Sequence, residues 1–193
     1  RSRRAAEAAK TAAAIWDAAP PAPADHPYLE RKRIAPHIAR VLTPTAARAA
    51  PPWVQSFLSA KGMLGALIIP SGCLGEIANL QFINANGDKR FLLGGTKQGN
   101  RCILGRTAEA ETIVVAEGFA TAASIHEVTG YPVVVAFDAG NLSTVAAGIR
   151  REHPSARIIL GADNDVRRPG ETCQINTGLV EAQQAAQRIG GIV

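Results

Sequence analysis

The sequence is poor in aromatic and sulfur-containing residues. Phe, Trp and Tyr make up 5% of its 193 residues, and there are three cysteines and one methionine. Cys73, Cys102 and Cys173 stand far apart without a Cys-x-x-Cys pair, so neither a zinc ribbon nor a disulfide framework is predicted. We therefore expect a reducing, cytoplasmic environment and a core filled mainly by Ala, Val, Ile and Leu.

Several other features are missing. No apolar run approaches the ~20 residues of a membrane span, and the basic, Ala-rich start has no apolar secretory segment, so we expect no membrane partner. The Gly-rich stretch "LGGTKQGNR" is not followed by Gly-Lys-Ser or Gly-Lys-Thr, and no Gly-x-Ser-x-Gly is present. A P-loop and a serine-hydrolase elbow are thus excluded. Because the first residue is not Met, we expect an excised part of a longer protein.

The remaining composition is that of a globular protein. Hydrophobic residues make up 47% and charged residues 19%, which excludes global disorder. The net charge is +5 and the isoelectric point about 9.5. This balance is compatible with nucleic-acid binding but does not establish it.

Three successive patterns divide the chain. Residues 1–60 are predicted to be a helical, basic region, with a helix over 3–18, Asp25 capping a short basic helix, and a Pro- and Ala-rich connector over 43–52. Residues 61–108 are predicted to be a small antiparallel β region with an Asn-Gly turn. Residues 109–193 alternate short apolar strands with helices, which predicts an α/β fold whose parallel sheet is covered on both faces.

Acidic residues follow the first three strands of this alternation: Glu117, then Asp138, then Asp163 and Asp165. Carboxyl ends of parallel strands meet at one edge of a sheet, where ligands bind. Asp163 and Asp165 are two residues apart and can converge, and Glu117 joins them if the first and third strands are neighbours. Such clustered carboxylates repel one another unless a divalent cation binds, so we predict a site for Mg²⁺ or Mn²⁺. The alternative is that these residues cap helices.

The segments "IVVAEGFATAASI", "VVVAFDAGNL" and "IILGADNDV" resemble the Toprim domain of primases, topoisomerases, recombination-repair proteins and nucleases. "HPYLERKRI" and "LGALIIPSGCLGEIANLQFINANGDKRFLLGG" are similar to plasmid- and phage-type DNA primases of the DnaG and TraC kind. The resemblance implies a Toprim fold and a nucleotidyl transferase that makes short RNA primers on single-stranded DNA. Nucleoside triphosphates and a replicative helicase, fused or separate, are the implied partners.

The resemblance also implies roles for individual residues. Glu117 would act as general acid or base and share in metal binding, while Asp163 and Asp165 would hold the ion. Asp138 and Asn141 are expected to be turn residues or groups that support the ligands. Lys89 and Arg90 would contact template or nucleotide. Lys97 and Arg101 extend this basic cluster, which could equally be a solvated hairpin.

Other functions remain as alternatives: a Toprim nuclease, a topoisomerase-like enzyme, or a non-catalytic nucleic-acid-binding module. A topoisomerase needs a nucleophilic tyrosine. We expect Tyr131 to be buried at the start of a strand, which leaves Tyr28 and makes that alternative weak. Trp16 and Trp53 are expected to pack in the core rather than to stack on bases.

Overall fold

A computed structural model describes residues 3–73, 75–162 and 177–193. The chain divides into two compact units, Arg1–Cys102 and Ile103–Val193. The finer division at residues 60 and 108 stays a prediction. Among the helices in the described ranges, none combines the length and hydrophobicity of a transmembrane span.

The first unit combines four helices with an antiparallel sheet. Its elements are α1 (Arg3–Ala18), α2 (Pro27–Lys32), β1 (Arg40–Val41), α3 (Pro44–Ala47), α4 (Pro52–Ala60), β2 (Leu67–Cys73), β3 (Glu76–Ile83) and β4 (Lys89–Phe91). The strand order is β1-β2-β3-β4. The predicted helix over 3–18 is confirmed, and helices and sheet share one core to which each contributes apolar side chains: Ala12, Ile15, Leu42, Val54, Leu58, Ile68, Leu80, Phe82 and Leu92.

Local capping explains where the short helices of this unit begin. The predicted cap Asp25 was wrong, because the N-cap of α2 is His26, whose Nδ1 accepts a hydrogen bond from Tyr28 N at 3.2 Å. Nε2 of His26 lies 2.9 Å from Gly65 O, which ties this cap to the loop before β2. α3 begins inside the expected connector, where Thr43 Oγ1 accepts from Ala46 N at 3.1 Å.

The second unit contains β6 (Thr112–Ala116), α5 (Phe119–Thr129), β7 (Val133–Val135), α6 (Ala139–Glu152), β8 (Arg157–Gly161) and α7 (Thr177–Ile189). β5 (Cys102–Leu104) precedes them, and the boundary between the units falls within it. The strand order is β5-β7-β6-β8, with β6 parallel to both neighbours. This confirms the predicted α/β alternation.

Both faces of the second sheet are covered, as predicted. α6 and α7 share a core with one face of the strands, which includes Ile113 and Val115. A Cβ added at Gly161 would lie 3.1 Å from Ile125 of α5 and 3.6 Å from Ala116, so α5 packs closely on the other face. The central strand is therefore buried on both sides, which accounts for its uninterrupted apolar sequence.

β7 is shorter than its apolar sequence indicates. It ends at Val135, because Phe137 has a left-handed backbone (φ 75°) and Asp138 already caps α6. Tyr131 lies before the strand and is 43% exposed. The expectation that Tyr131 is buried in a strand was therefore wrong.

Candidate catalytic edge and basic surface

Glu117 follows the central strand of the second sheet. Ala116, the last residue of β6, pairs with Val135 of β7 on one side and with Gly161 of β8 on the other. Glu117 is the next residue; it is partly exposed, and Gly118 caps the helix that follows. The first and third strands of the alternation are therefore neighbours, the condition on which the predicted carboxylate cluster depended.

The other two predicted metal ligands, Asp163 and Asp165, lie outside the described residues. Within the described ranges, no group of three His, Cys, Asp or Glu side chains could hold a metal ion. The predicted Mg²⁺ or Mn²⁺ site therefore stays a prediction.

Asp138 and Asn141 form a hydrogen-bonded turn at the carboxyl edge. Asp138 Oδ1 accepts from Asn141 N at 2.9 Å and so caps α6. The Asn141 side chain is 1% exposed, and its Nδ2 donates to Ala136 O at 2.9 Å. Ala136 N in turn donates to Ala116 O at 2.8 Å. The turn is thus linked to the end of the central strand, one residue before Glu117.

Lys89 and Arg90 lie on β4, an edge strand of the first sheet, and both are exposed. Lys89 pairs with Ile83, and Arg90 with Phe82, whose side chain belongs to the helix-covered core. Since neighbouring residues of a strand point to opposite faces, the two cations project to opposite sides of β4.

The Gly-rich loop after β4 carries Lys97. Asn100 Nδ2 donates to Thr96 O at 3.2 Å and lies 3.1 Å from Thr96 Oγ1, and Asn79 Nδ2 donates to the same carbonyl at 3.4 Å. These bonds fix the loop so that Lys97 Nζ lies 5.5 Å from the centre of the Phe91 ring. Phe91 and Lys89 share a face of β4, so Lys97 lies on the same side as Lys89.

Arg101 is placed differently from these exposed cations. Its backbone pairs with Gly72, with N–O distances of 2.9 and 3.0 Å, and its side chain is 8% exposed. A Cβ on Gly72 would come within 1.9 Å of Glu76 O, so the close approach of β2 to β3 at this position requires glycine.

Two further arginines of the basic N-terminal region, Arg31 and Arg40, contact neighbouring backbone and aromatic groups. Arg31 donates to Ala85 O at 2.6 Å and lies 5.6 Å from the Tyr28 ring centre. Burial raises the pKa of Tyr28, and the Arg31 charge partly opposes that rise. Arg40 donates to Trp16 O at 2.5 Å and lies 4.5 Å from a Trp16 ring centre. These contacts tie the guanidinium groups to backbone and aromatic partners.

Trp53 was misjudged from the sequence. Trp16 packs against the first core, as expected, but Trp53 is 59% exposed. It lines a groove of about 620 Å³ whose other walls combine apolar and charged residues: Arg4, Glu7, Ala8, Lys10, Thr11, Pro51, Val54, Leu93 and Gly94. Proline at the first position of α4 marks this helix start in the sequence, but no sequence signal distinguishes the exposed tryptophan from a buried one.

Residues 112–190 match the model of the Toprim domain family. The Toprim segment begins with β6 and ends just after α7, so it contains Glu117 and the turn formed by Asp138 and Asn141. The Toprim resemblance predicted from the sequence is thereby confirmed.

Two curated proteins are also similar in sequence to this chain. Two Escherichia coli proteins, each named DNA primase TraC, are 36% and 37% identical to this chain over 120 residues, which is 61% of the chain. The match covers 11% and 8% of those proteins, so the chain spans about a tenth of the length of these curated relatives.

Solved structures share the fold. A DnaG primase catalytic domain bound to single-stranded DNA superposes with a TM-score of 0.56 at 12% identity, covering 86% of this chain and 63% of that one. The RNA polymerase domain of Mycobacterium tuberculosis primase DnaG, in complex with double-stranded DNA, gives 0.51 at 17% identity, covering 83% and 63%. The predicted fold class is confirmed by these likenesses.

Proposed function

We propose that this chain is the catalytic core of a DNA primase, which joins nucleoside triphosphates into short RNA primers on single-stranded DNA. The TraC similarity supports this function, and one structural observation carries it: β6 and β8 are parallel neighbours whose last residues, Ala116 and Gly161, pair directly. That register puts Glu117 one residue beyond the paired ends of β6 and β8.

The donor set fits a hard divalent cation. Asp163 follows Gly161 by two residues, a stretch of chain that spans at most about 7 Å, and Gly161 is already paired with the residue before Glu117. Carboxylate oxygens are the ligands that Mg²⁺ and Mn²⁺ prefer. Glu117, Asp163 and Asp165 would hold the ion, which when bound neutralises charge on the reacting phosphates.

In this proposal Glu117 also takes the proton from the 3′-hydroxyl of the growing primer. The hydroxyl oxygen then attacks the α-phosphorus of the incoming nucleotide, and pyrophosphate leaves. A carboxylate in contact with the attacking hydroxyl suits general-base catalysis, which contributes typically 10²–10⁴-fold in rate.

The first unit supplies candidate contacts for template and nucleotide. Lys89, Arg90 and Lys97 are exposed cations suited to phosphate groups, whereas Arg101, largely buried, is the least accessible of the predicted contacts. The groove beside Trp53 adds Arg4 and Lys10 to an exposed aromatic ring. Cations next to an aromatic platform bind single strands without sequence preference, because every base has a face that can stack. A replicative helicase, fused or separate, and a cytoplasmic location remain predictions.

Two measurements on the parent and three variants test this function: primer synthesis on single-stranded DNA and Mn²⁺ binding followed by electron paramagnetic resonance. We expect Glu117→Gln and Asp163→Asn each to lower primer synthesis by at least about 100-fold and to weaken Mn²⁺ binding. The matched control is Glu111→Gln, the same chemical change just before the amino end of β6, and it should behave as the parent. Parental activity or parental Mn²⁺ binding in Glu117→Gln would overturn the proposed site.

A further inference from the structure

We propose that Asn141 is a positioning residue for Glu117, acting through the backbone of the two neighbouring strands. The inference rests on the proposed function, because it assigns to Asn141 the task of holding the strand end that carries the proposed catalytic carboxylate.

A chain of buried hydrogen bonds connects the two residues. Asn141 Nδ2 donates to Ala136 O at 2.9 Å, and Ala136 N donates to Ala116 O at 2.8 Å. Ala116 is the residue immediately before Glu117. The Asn141 side chain is 1% exposed, so water does not compete freely for its bond. Two hydrogen bonds therefore connect Asn141 to Ala116, so a shift of the Asn141 side chain moves the backbone next to Glu117.

Asn141 also makes hydrogen bonds to the residues on both sides of Phe137, whose backbone is strained. Phe137 has a φ of 75°, a conformation that bulky residues adopt rarely, and its side chain is 6% exposed. Ala136, before it, is held by Asn141 Nδ2, and Asp138, after it, accepts from Asn141 N. Backbone strain persists where surrounding bonds fix it, and such positions cluster at functional sites.

Helix capping alone does not account for this side chain. Asp138 Oδ1 already caps α6 by accepting from Asn141 N, a contact made by the backbone of residue 141. The amide side chain instead reaches back to the end of β7. Its contribution is therefore to the geometry of the sheet edge rather than to the start of the helix.

The test is a double-mutant cycle between Asn141→Ala and Glu117→Gln, with primer synthesis and Mn²⁺ binding as readouts. Substitutions behind a metal ligand typically cost 10–100-fold in metal affinity or activity, so we expect Asn141→Ala to lose at least about tenfold. In the Glu117→Gln background the same substitution should cause no further loss, because the group it positions has been removed.

Arg150→Ala is the matched stability control, since it removes hydrogen bonds at the opposite end of α6. Compared at a temperature where all variants are folded, it should retain parental primer synthesis and Mn²⁺ binding. Asn141→Asp provides a second variant: it is similar in size, its charge suits the first turn of a helix, and it cannot donate to Ala136 O. We expect it to lose primer synthesis as Asn141→Ala does.

The outcomes separate the two proposals. If Glu117→Gln behaves as the parent, the proposed function and the positioning role both fall. If Glu117→Gln is inactive while Asn141→Ala and Asn141→Asp match Arg150→Ala, only the positioning role falls. Additive losses in the double variant would likewise overturn it, because a structural defect does not depend on which residue stands at 117.

Discussion

Arg150 joins three backbone segments of the second unit. Its guanidinium donates to Ile189 O at 2.9 Å, to Pro154 O at 3.0 Å and to Ala156 O at 2.7 Å. It therefore links the end of α7, the end of α6 and the start of β8. Hydrogen bonds from a charged donor contribute about 1.5–3 kcal/mol each, and truncation also leaves carbonyls without this donor. We expect Arg150→Ala to lower the free energy of unfolding by at least about 2 kcal/mol, measured by urea denaturation.

The neighbouring Arg151 offers the control for that prediction. Arg151 is exposed, and substitutions at such positions usually change stability by less than about 0.5 kcal/mol. Arg150→Lys should recover only part of the loss, because an ammonium group lacks the planar fork that reaches several carbonyls. If Arg150→Ala and Arg151→Ala lower the free energy of unfolding equally, the three hydrogen bonds of Arg150 do not stabilise the fold.

Tyr28 makes the stability of the first unit depend on alkaline pH. Its side chain is 2% exposed, burial raises its pKa above the usual 10.0, and the Arg31 charge lowers it by a smaller amount. Near pH 10 the folded chain thus keeps a phenolic proton that the unfolded chain has lost. The stability that Tyr28 contributes is complete below the pKa it has in the unfolded chain. It declines as the pH rises through the pKa it has in the folded chain. We expect Tyr28→Phe to make the loss of stability shallower between about pH 9 and 11, followed by urea denaturation.

Tyr131→Phe provides the background for this measurement, because it removes the other of the two tyrosines in the sequence. Arg31→Ala should raise the Tyr28 pKa further, because the positive charge that lowers it is removed. Ultraviolet absorbance of the phenolate reports this titration directly. A Tyr28 phenol whose pKa in the folded protein is not above the usual 10.0 would contradict the prediction.

Gly130 ends α5 and turns the chain toward β7. Its φ is 71°, and its N–H donates to His126 O at 2.8 Å. An added Cβ would meet nothing within 4 Å, so the cost of a side chain here is conformational rather than steric. We expect Gly130→Ala to destabilise the second unit by about 1–2 kcal/mol and Gly130→Asn by less, since Asn tolerates this region better. Thermal unfolding of both variants measures the difference, and equal destabilisation would exclude the conformational explanation.

Elements with a complete local signal were the ones predicted well. The helix over 3–18 is followed directly by a cluster of prolines, and the alternation from β6 to α7 carries its own apolar periods and glycine stops. Elements that depend on distant partners were not predicted: β1 has two residues and exists because it pairs with β2, and β5 is an edge strand of three residues. Local signals are absent where tertiary pairing supplies the stability.

In the candidate site, too, the local features were predicted from the sequence and the features that depend on tertiary structure were not. Glu117 was predicted from its position after an apolar strand, because the end of a strand is a local property. The pairing of β6 with β8 and the link from Asn141 to Ala116 are properties of the sheet, and the exposure of Trp53 is a property of the packed unit. No residue pattern within one segment contains that information.

The chain has a net charge of +5, and some of its positive charge lies on exposed side chains that can contact the phosphates of a nucleic acid. For single strands, the logarithm of the binding constant falls with the logarithm of salt concentration by about 0.7 per phosphate contact. We expect Lys97→Ala to reduce that slope by about 0.7. Trp53→Ala should instead weaken binding by about 1–3 kcal/mol at every salt concentration and leave the slope unchanged, because stacking releases no counterions. Fluorescence anisotropy of a labelled single strand measures both.

Two variants make this assignment specific. Trp53→Phe keeps an aromatic ring at the groove and should retain most of the affinity, and Lys61→Ala removes an exposed charge from the end of the same helix, α4, and should keep the parental slope. If Lys61→Ala lowers the slope as Lys97→Ala does, binding follows total charge rather than a defined surface. If Trp53→Ala lowers the slope, the loss arises from displaced cations such as Arg4 and Lys10 rather than from stacking, and the groove then acts through its charge.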